Sequence, residues 1–600
     1  MDYLKTVVPS QLLAERGSNL VVINPGSANV RIGLAHQNAP FSIPHCIARH
    51  IRSSDSEGSQ GPQLTIKDQM LVCPATPSQC AEREKAYDAV ASLLKIPFLD
   101  EENANSSSHR KFMQVNHIDG YHPQNSKTDT PFSWTNVTEK NPSFTLPVED
   151  SENKDAKENV SDERDLVESG KRMSEYSYRE FICGEEALKI APTDPYCLCR
   201  PIRRGHFNVS QYYSSQQVAE DLFTIWDWVL NEKLQICSAS RSLYSAILVV
   251  PETFDSREIK EMLTIVLRDL KFGSAVIHQE GLAAAFGNGL STACIVSLGA
   301  QVTSIICIED GVALPTSCVT LPFGGEDISR CLFWIQRHHQ TWPAINTDPL
   351  SKPADMLMLE RLKESYCRIV EGELDSVALV HSFETGKPAE AHKLRLFAVN
   401  VPPMGLFCPS LLVPDEHPPP PRPWFHDYED MLEDTLHSEF PRRSDLPDAF
   451  LLGGNGLNMW DSYPVATSRL KREDNLGLAE AITSSIMSTG RIDLQRKLFC
   501  SLQLIGGVAL TEGIIGAVEE RVLHAIPSHE AIDTVEVLPS KTHPPFVPWK
   551  GGAILGVLDF GRDAWIQRQD WIQNGIYLGS GRKYKDSFLL QAQTMWYMNC

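Results

Sequence analysis

The sequence predicts an α/β protein of two lobes, and three observations carry that prediction. Two strand–turn–strand units with a glycine in the turn, LVVINPGSANVRIGLA (Leu20–Ala35) and TACIVSLGAQVTSIICIEDG (Thr292–Gly311), recur far apart in the chain. Around them apolar strands alternate with helical patterns, the signature of an α/β architecture. At 600 residues the chain exceeds one ordinary hydrophobic core, so at least two lobes plus insertions are expected.

The elements follow in order. Leu20–Ile32 reads as a hairpin: β-branched residues flank a Pro-Gly-Ser turn, and Pro25 ends the first strand. Residues 1–102 form the first structured segment. Residues 103–177 are polar and include EDSENKDAKENVSDERDLVESG (Glu149–Gly170), whose charge and scarcity of large apolar residues mark a disordered insertion. It reads as a solvated loop or as an acidic dock for a basic partner such as a histone.

Structure resumes over 178–381. Gln217–Leu234 has apolar residues at helical spacing. SAILVVPETF is a buried strand ending at Pro251, and Ser256–Leu270 is an amphipathic helix with Ser256 as its N-cap. The second hairpin follows. Residues 382–450 read as a second insertion, acidic and Pro-rich, in which Pro418–Pro421 favour an extended polyproline segment. Residues 451–600 close the chain with a helix, a strand over Ser501–Ile505, the Gly506–Gly507 turn and another helix. Glycines there admit close approach of a ligand to the backbone, and a helix N-terminus favours anions; taken alone, a Gly-Gly pair after a strand more often reflects simple tight packing.

Composition excludes some classes. The net charge is −21, from 76 acidic and 55 basic residues, which argues against a globally basic nucleic-acid surface. Short basic clusters remain, RPIRR (Arg200–Arg204), SRLKR (Ser468–Arg472) and GRKYK (Gly581–Lys585). Each reads as a solvated face or a local phosphate contact. The 15 cysteines are scattered; Cys197 and Cys199 lack a second close pair for zinc, so reduced thiols are expected. No signal-peptide pattern opens the chain, and Ala275–Leu298 is interrupted by polar residues, so no membrane span is expected and the protein is read as intracellular and soluble.

Several of these stretches, in order, resemble the actin superfamily. VVINPGSANVRIGLA is similar to its first phosphate hairpin, with IPHCIAR (Ile43–Arg49) behind it, and RPIRRGHF (Arg200–Phe207) precedes the helix that closes the first lobe. VVPETFDSREIKEML and QEGLAAAFG resemble the strand and helices before the second hairpin. LERLKESYC (Leu359–Cys367) resembles the helix whose Lys-Glu pair lies against adenine, and LQLIGGVALTEGI the adenosine glycines. FGGEDISRCLFW and WKGGAILGVLDFGRDAWIQRQDW (Trp549–Trp571) narrow the likeness to the nuclear actin-related protein 8 class and its plant form. The resemblance implies an actin-like ATPase fold: two lobes, each with a ribonuclease-H-like sheet and helices, large insertions, and a nucleotide cleft between the lobes. It also implies a place in an INO-type nuclear chromatin-remodelling complex, beside actin and another actin-related protein on a helical segment of the motor subunit. Histones, nucleosomes and linker DNA would be close by.

The same resemblance assigns the site residue by residue. Gly26, Ser27, Ala28 and Arg31 would face phosphate from the first hairpin, and Ser297, Leu298, Gly299, Ala300 and Gln301 from the second. Lys363, Glu364, Gly506 and Gly507 would line the adenosine side. Hydrolysis in actins needs hairpin acids that hold hydrated Mg²⁺. Those acids align with Asn24, Ser297 and Ala300, so Mg²⁺ binding is expected to be poor and ATP or ADP, if held, weakly bound. The water-placing glutamine aligns with Glu280 in a gapless match, or with Gln279 after a shift of one. Arg31 keeps the charge of a phosphate-binding lysine with a different geometry.

Three functions remain in contention at this stage. The first is a nuclear scaffold subunit with little or no hydrolysis, acting in transcription regulation and DNA repair, with a cytoplasmic fraction. The second is an active ATPase or phosphotransferase of the actin, sugar-kinase and heat-shock superfamily, against which the missing acids count. The third is a filament former, against which the insertions count.

Overall fold

The two larger sheets each contain a strand apolar on both faces. A computed structural model describes residues 13, 15–51, 75–96, 135–136, 179–190, 194–210, 213–254, 256–349, 352–372, 376–382, 390–412, 476–528, 532–558 and 564–574. The strands are β1 (Leu20–Pro25), β2 (Asn29–Leu34), β3 (Phe41–Pro44), β4 (Ile47–His50), β5 (Thr135–Asn136), β6 (Phe181–Cys183), β7 (Tyr196–Cys199), β8 (Ile202–Arg203), β9 (His206–Phe207), β10 (Ser245–Val250), β11 (Ser274–Gln279), β12 (Ala293–Leu298), β13 (Thr303–Glu309), β14 (Val312–Leu321), β15 (Ser376–Ser382), β16 (Glu390–Leu396), β17 (Leu502–Ile505) and β18 (Ile566–Gln567). The helices used below are α1 (Pro77–Leu93), α2 (Ser215–Trp228), α3 (Ser256–Thr264), α4 (Glu280–Asn288), α5 (Gly325–His338), α6 (Pro353–Tyr366), α7 (Leu478–Met487), α8 (Ile514–Ala525) and α9 (Val547–Val557).

In the first lobe β1 lies between parallel β10 and antiparallel β2, in a sheet of order β18-β11-β10-β1-β2-β3. Val21 and Ile23 face a core shared with Leu222 of α2 and Met262 of α3, while Val22 faces Trp549 and Ala553 of α9 on the other side. Helices cover both faces, which is why VVI is an unbroken apolar run rather than an alternation. The second lobe repeats the scheme in the order β14-β13-β12-β17. There Cys294, Val296 and Leu298 face one core, and Ala293 and Ile295 face another. Smaller sheets, β16-β15-β5, β6-β4-β7 and β8-β9, complete the described residues.

The two lobes join through α4, which runs from the end of β11 toward β12 and crosses α9 at very close range. QEGLAAAFG and WKGGAILG meet backbone to backbone: a Cβ on Gly551 would overlap the carbonyl of Ala283, and one on Gly287 would overlap that of Val547. Small residues at the crossing leave no volume for anything larger.

Three segments behave differently from their sequence assignment. Residues 390–412, placed by composition within the second insertion, include β16 and a stretch whose Val401, Met404, Leu406 and Leu411 join the second-lobe core. Helix α1, assigned to the first structured segment, packs Tyr87, Val90 and Ala91 into that same second-lobe core, with Arg83 over the Trp334 ring and the Tyr87 hydroxyl 2.7 Å from His339 Nε2. Ser256 is the first helical residue of α3 rather than its cap. The acidic run Glu149–Gly170, the prolines 418–421 and the clusters SRLKR and GRKYK lie outside the described residues. Among the described residues no helix is long and apolar enough to cross a membrane.

The helix crossing gives a contrast pair. Gly551→Ala is expected to cost about 3 kcal/mol, because the added methyl meets backbone that cannot move aside. Gly516→Ala, in exposed helix with nothing within 4 Å of the new Cβ, is expected to stabilise by about 0.5–1 kcal/mol. Thermal unfolding of the two variants should move in opposite directions.

Candidate functional site

Both hairpin turns are built by glycine. The N–H of Gly26 donates to Asn29 O at 3.0 Å, and that of Gly299 to Val302 O at 3.0 Å. A Cβ would stand 2.8 Å from Asn29 O at Gly26 and 2.6 Å from Val302 O at Gly299, so each turn needs glycine for clearance. These two N–H groups serve the turns themselves. The amides that follow, those of Ser27 and Ala28 on one side and of Ala300 and Gln301 on the other, are the positions that the sequence resemblance assigns to phosphate.

Between the hairpins stands one carboxylate that reaches both. Glu280, the first residue of α4, accepts from Ser297 Oγ at 3.0 Å and from Asn24 Nδ2 at 3.4 Å. Asn24 also donates to Val249 O at 2.9 Å, and its Oδ1 accepts from Arg31 at 3.4 Å. The carbonyl of Val249 only accepts, so the amide orientation follows from the network. The sequence alignment makes Asn24 and Ser297 positions of lost acids. In space one buried carboxyl, that of Glu280, touches both of them.

Burial pushes the Glu280 carboxyl pKa up, and Arg31, Ser297 and Asn24 oppose that. A resident Mg²⁺ fits this set poorly. Asn24 turns its nitrogen toward Glu280 and its oxygen toward a guanidinium, and Ala300 has no side-chain ligand.

A second buried acid, Glu252, was not singled out in the sequence. It follows Pro251 at the carboxyl end of β10, where parallel sheets place ligand groups, and that position was the available signal. It accepts from the Gly281 N–H at 2.6 Å and from Ser304 Oγ at 3.2 Å. Burial first, and Glu280 second, push its pKa up to about 7. Gln279, the alternative water-placing residue, is buried at the end of β11.

The lobes are clasped beside the second turn by RPIRRG. Arg204 sits at φ +48 in the left-handed region, followed by Gly205 at φ +75. Its guanidinium makes two bonds to Asp327, at 2.6 and 2.7 Å, with both side chains 1% exposed. It also donates to Gln301 O at 2.7 Å, while its backbone N–H donates to Gln301 Oε1 at 2.7 Å. Gln301 passes the contact on to Glu326, which pairs with Arg200 at 3.3 Å. Arg203 and Arg204 are buried. This basic cluster is therefore an internal clasp rather than a phosphate-facing patch, and the Gln301 side chain is committed to it.

On the adenosine side the predicted residues converge around α5. Lys363 Nζ donates to Gly325 O at 2.9 Å, and Gly325 itself lies against Val508 and Lys363. Gly506, at φ +91, is pressed against the Leu298 carbonyl, whereas a Cβ on Gly507 would meet nothing within 4 Å. That opening leaves room for a ligand to approach the backbone. Glu364 is exposed, so the Lys-Glu pair divides, Lys363 inward and Glu364 outward. Leu298 is fully buried and can offer only backbone. The helix after Gly-Gly, α8, starts only at Ile514, with a short turn at Val508–Leu510 intervening. Cys197 and Cys199 lie on β7. Among the described residues no cluster of three or more His, Cys, Asp and Glu could hold a metal.

Two ribonuclease-H-like sheets, joined by α4 and facing each other through glycine-turned hairpins, define a two-lobed protein of the actin type with a cleft between the lobes. The chain belongs to the actin family, whose family model, described as Actin, matches residues 138–579. It is 58% identical to "Actin-related protein 9" of Oryza sativa subsp. indica over the whole of both chains. It is likewise 58% identical to the protein of that name from Arabidopsis thaliana, over 100% of this chain and 98% of the relative. It is 28% identical to "Actin-related protein 8" of Bos taurus, over 93% of this chain and 91% of that protein. Among solved structures it is similar to the human actin-related protein Arp8 in its ATP-bound state, with TM-score 0.66 and 25% identity, covering 95% of this chain and 97% of that one.

Two predictions follow from the carboxylates. The folded pKa of Glu252, about 7, lies above its ordinary 4.5. The folded state therefore holds the extra proton. Stability from this group is full below pH about 4.5 and is lost as pH rises toward 7. His45 and His278, both pulled down to about 4 by burial, act with the opposite sign, their contribution being lost as pH falls from about 6.5 toward 4. Glu252→Gln is expected to flatten the decline between pH 5 and 7, read as melting temperature against pH. Asn24→Asp places a carboxylate against the Val249 carbonyl and Glu280, and is expected to destabilise by about 1–3 kcal/mol at neutral pH. Adding Glu280→Gln should recover part of that loss, which a double-mutant cycle measures.

Proposed function

We propose that this actin-family chain is a nucleotide-holding scaffold subunit of an INO-type nuclear chromatin-remodelling complex, with little or no hydrolysis. The observation that carries the low-turnover reading is the position of Glu280. Its carboxylate is bonded to Asn24 and Ser297 and balanced by Arg31, and neither hairpin has an acid at its turn to hold a hydrated metal. Nucleotide holding rests on the amides of both turns, on the opening at Gly507, and on the ATP-bound state of the similar human Arp8. ATP or ADP would lie between the hairpins with its base toward Lys363 and Gly507.

The assembly part of the proposal rests on the likeness to actin-related proteins 8 and 9. Its partners would be a helical segment of the motor subunit, actin and another actin-related protein, with histones or linker DNA contacted from the complex. Its roles would be transcription regulation and DNA repair, and its location nuclear with a cytoplasmic fraction. The purified full chain is expected to retain radiolabelled ATP while releasing no phosphate above a protein-free blank over hours. Sustained turnover overturns the low-hydrolysis reading. Affinity purification from nuclei should bring down a remodelling motor together with actin, and recovery in cytoplasmic filaments alone overturns the assembly reading.

A further inference from the structure

His45 ties the first hairpin turn from behind. It follows β3, whose Pro44 pairs with Asn29 of β2, so its backbone is already beside the turn. Its backbone N–H donates to Ala28 O at 2.8 Å, and its Nδ1 lies 2.8 Å from Gly26 O. A carbonyl only accepts, so Nδ1 carries the proton. The other ring nitrogen, Nε2, then has a lone pair, and it accepts from the Trp226 indole N–H at 3.2 Å. The indole only donates, so both neighbours select the same neutral tautomer. His45 is 1% exposed and Trp226 fully buried, which leaves the ring no alternative partner in water.

The consequence for the turn is geometric. No cis peptide occurs among the described residues, and a planar trans peptide points its C=O and N–H in opposite directions. Drawing the Gly26 carbonyl toward His45 therefore aims the Ser27 N–H the other way, out of the turn. We propose that His45 is the positioning residue that orients the Ser27 amide of the first hairpin for an anionic ligand, with Trp226 fixing its tautomer. This deepens the nucleotide-holding reading and rests on it for the identity of the anion. His45 touches no ligand itself.

Three variants of the full chain separate positioning from packing. His45→Asn keeps a donor near the place of Nδ1, His45→Gln keeps a polar group near Nε2 but loses the turn bond, and His45→Leu loses both. Two readouts are taken. In hydrogen exchange without nucleotide, the Gly26 amide, bonded within the turn to Asn29 O, is expected to exchange about tenfold faster in the Leu and Gln variants and near the original rate in the Asn variant. In ATP binding without and with Mg²⁺, affinity is expected to fall about tenfold in Leu and Gln and to recover in Asn. Unchanged exchange at Gly26 in the Leu and Gln variants overturns the positioning role, whatever the nucleotide result. Affinities that follow melting temperature across the three variants also overturn it, since packing then suffices. Altered exchange in a chain that binds no ATP leaves His45 positioning the turn and instead overturns the nucleotide-holding reading.

Discussion

The buried pair between Arg204 and Asp327 is the interaction on which the cleft depends. Arg204 belongs to the loop between Ile202 and Phe207 of the first-lobe core, and Asp327 opens the helix that carries Ile328 into the second-lobe core. Burial alone would raise the Asp327 pKa, yet Arg204, Arg330 and the Gly324 N–H together hold it below the usual carboxylate range. A carboxylate so enclosed is tolerated only while its partner stays, because an unpaired buried charge costs several kcal/mol. The same guanidinium holds the Gln301 carbonyl, so lobe closure and the shape of the second turn are one constraint. The left-handed backbone at Arg204 is kept there by those contacts.

From that clasp the electrostatics of the cleft follow. An actin-type site that uses metal keeps acids in the hairpins and lets cations neutralise them. Here one carboxylate, Glu280, sits at the base of α4 and is neutralised from within by Arg31 and two neutral donors. A second, Glu252, lies close enough to Glu280 that the neighbouring carboxylate adds to burial in raising its pKa. Direct hydrogen bonds link the lobes at the base of the cleft, Ser297 to Glu280 and Ser304 to Glu252.

Some of the site was legible in the chain and some was not. Gly26, Gly299 and Gly506 could be read because turns and close approaches demand glycine wherever they occur, and the structure places all three at such points. Asn24 and Ser297 could be read as missing acids because an alignment compares one position at a time. Glu280 could not be recognised as their replacement, since it lies 256 residues from Asn24 in sequence and only the sheet brings them together. In the sequence His45 is only one residue of IPHCIAR, the segment behind the first hairpin, and its contacts appear only once Trp226 stands behind it. The RPIRR cluster misled for the same reason: charge density along a chain says nothing about whether a buried carboxylate faces it. Composition also misplaced residues 390–412, whose neighbours are polar while their own side chains enter a core.

The sequence by itself determined the class of the protein. Unbroken apolar strands require cover on both faces, alternating helices provide it, and two glycine-turned hairpins repeat the unit, so a two-lobed α/β fold follows from local chemistry, and the order of the motifs, by its resemblance to actins, makes it actin-like. Tertiary structure alone decided which charges meet. Hydrogen bonds and ion pairs act over a few ångströms, and which groups lie that close is settled by sheet register and helix crossing. That is why Glu280 came to lie between Asn24 and Ser297, why Arg204 turned inward to Asp327, and why α1 crossed to the second lobe.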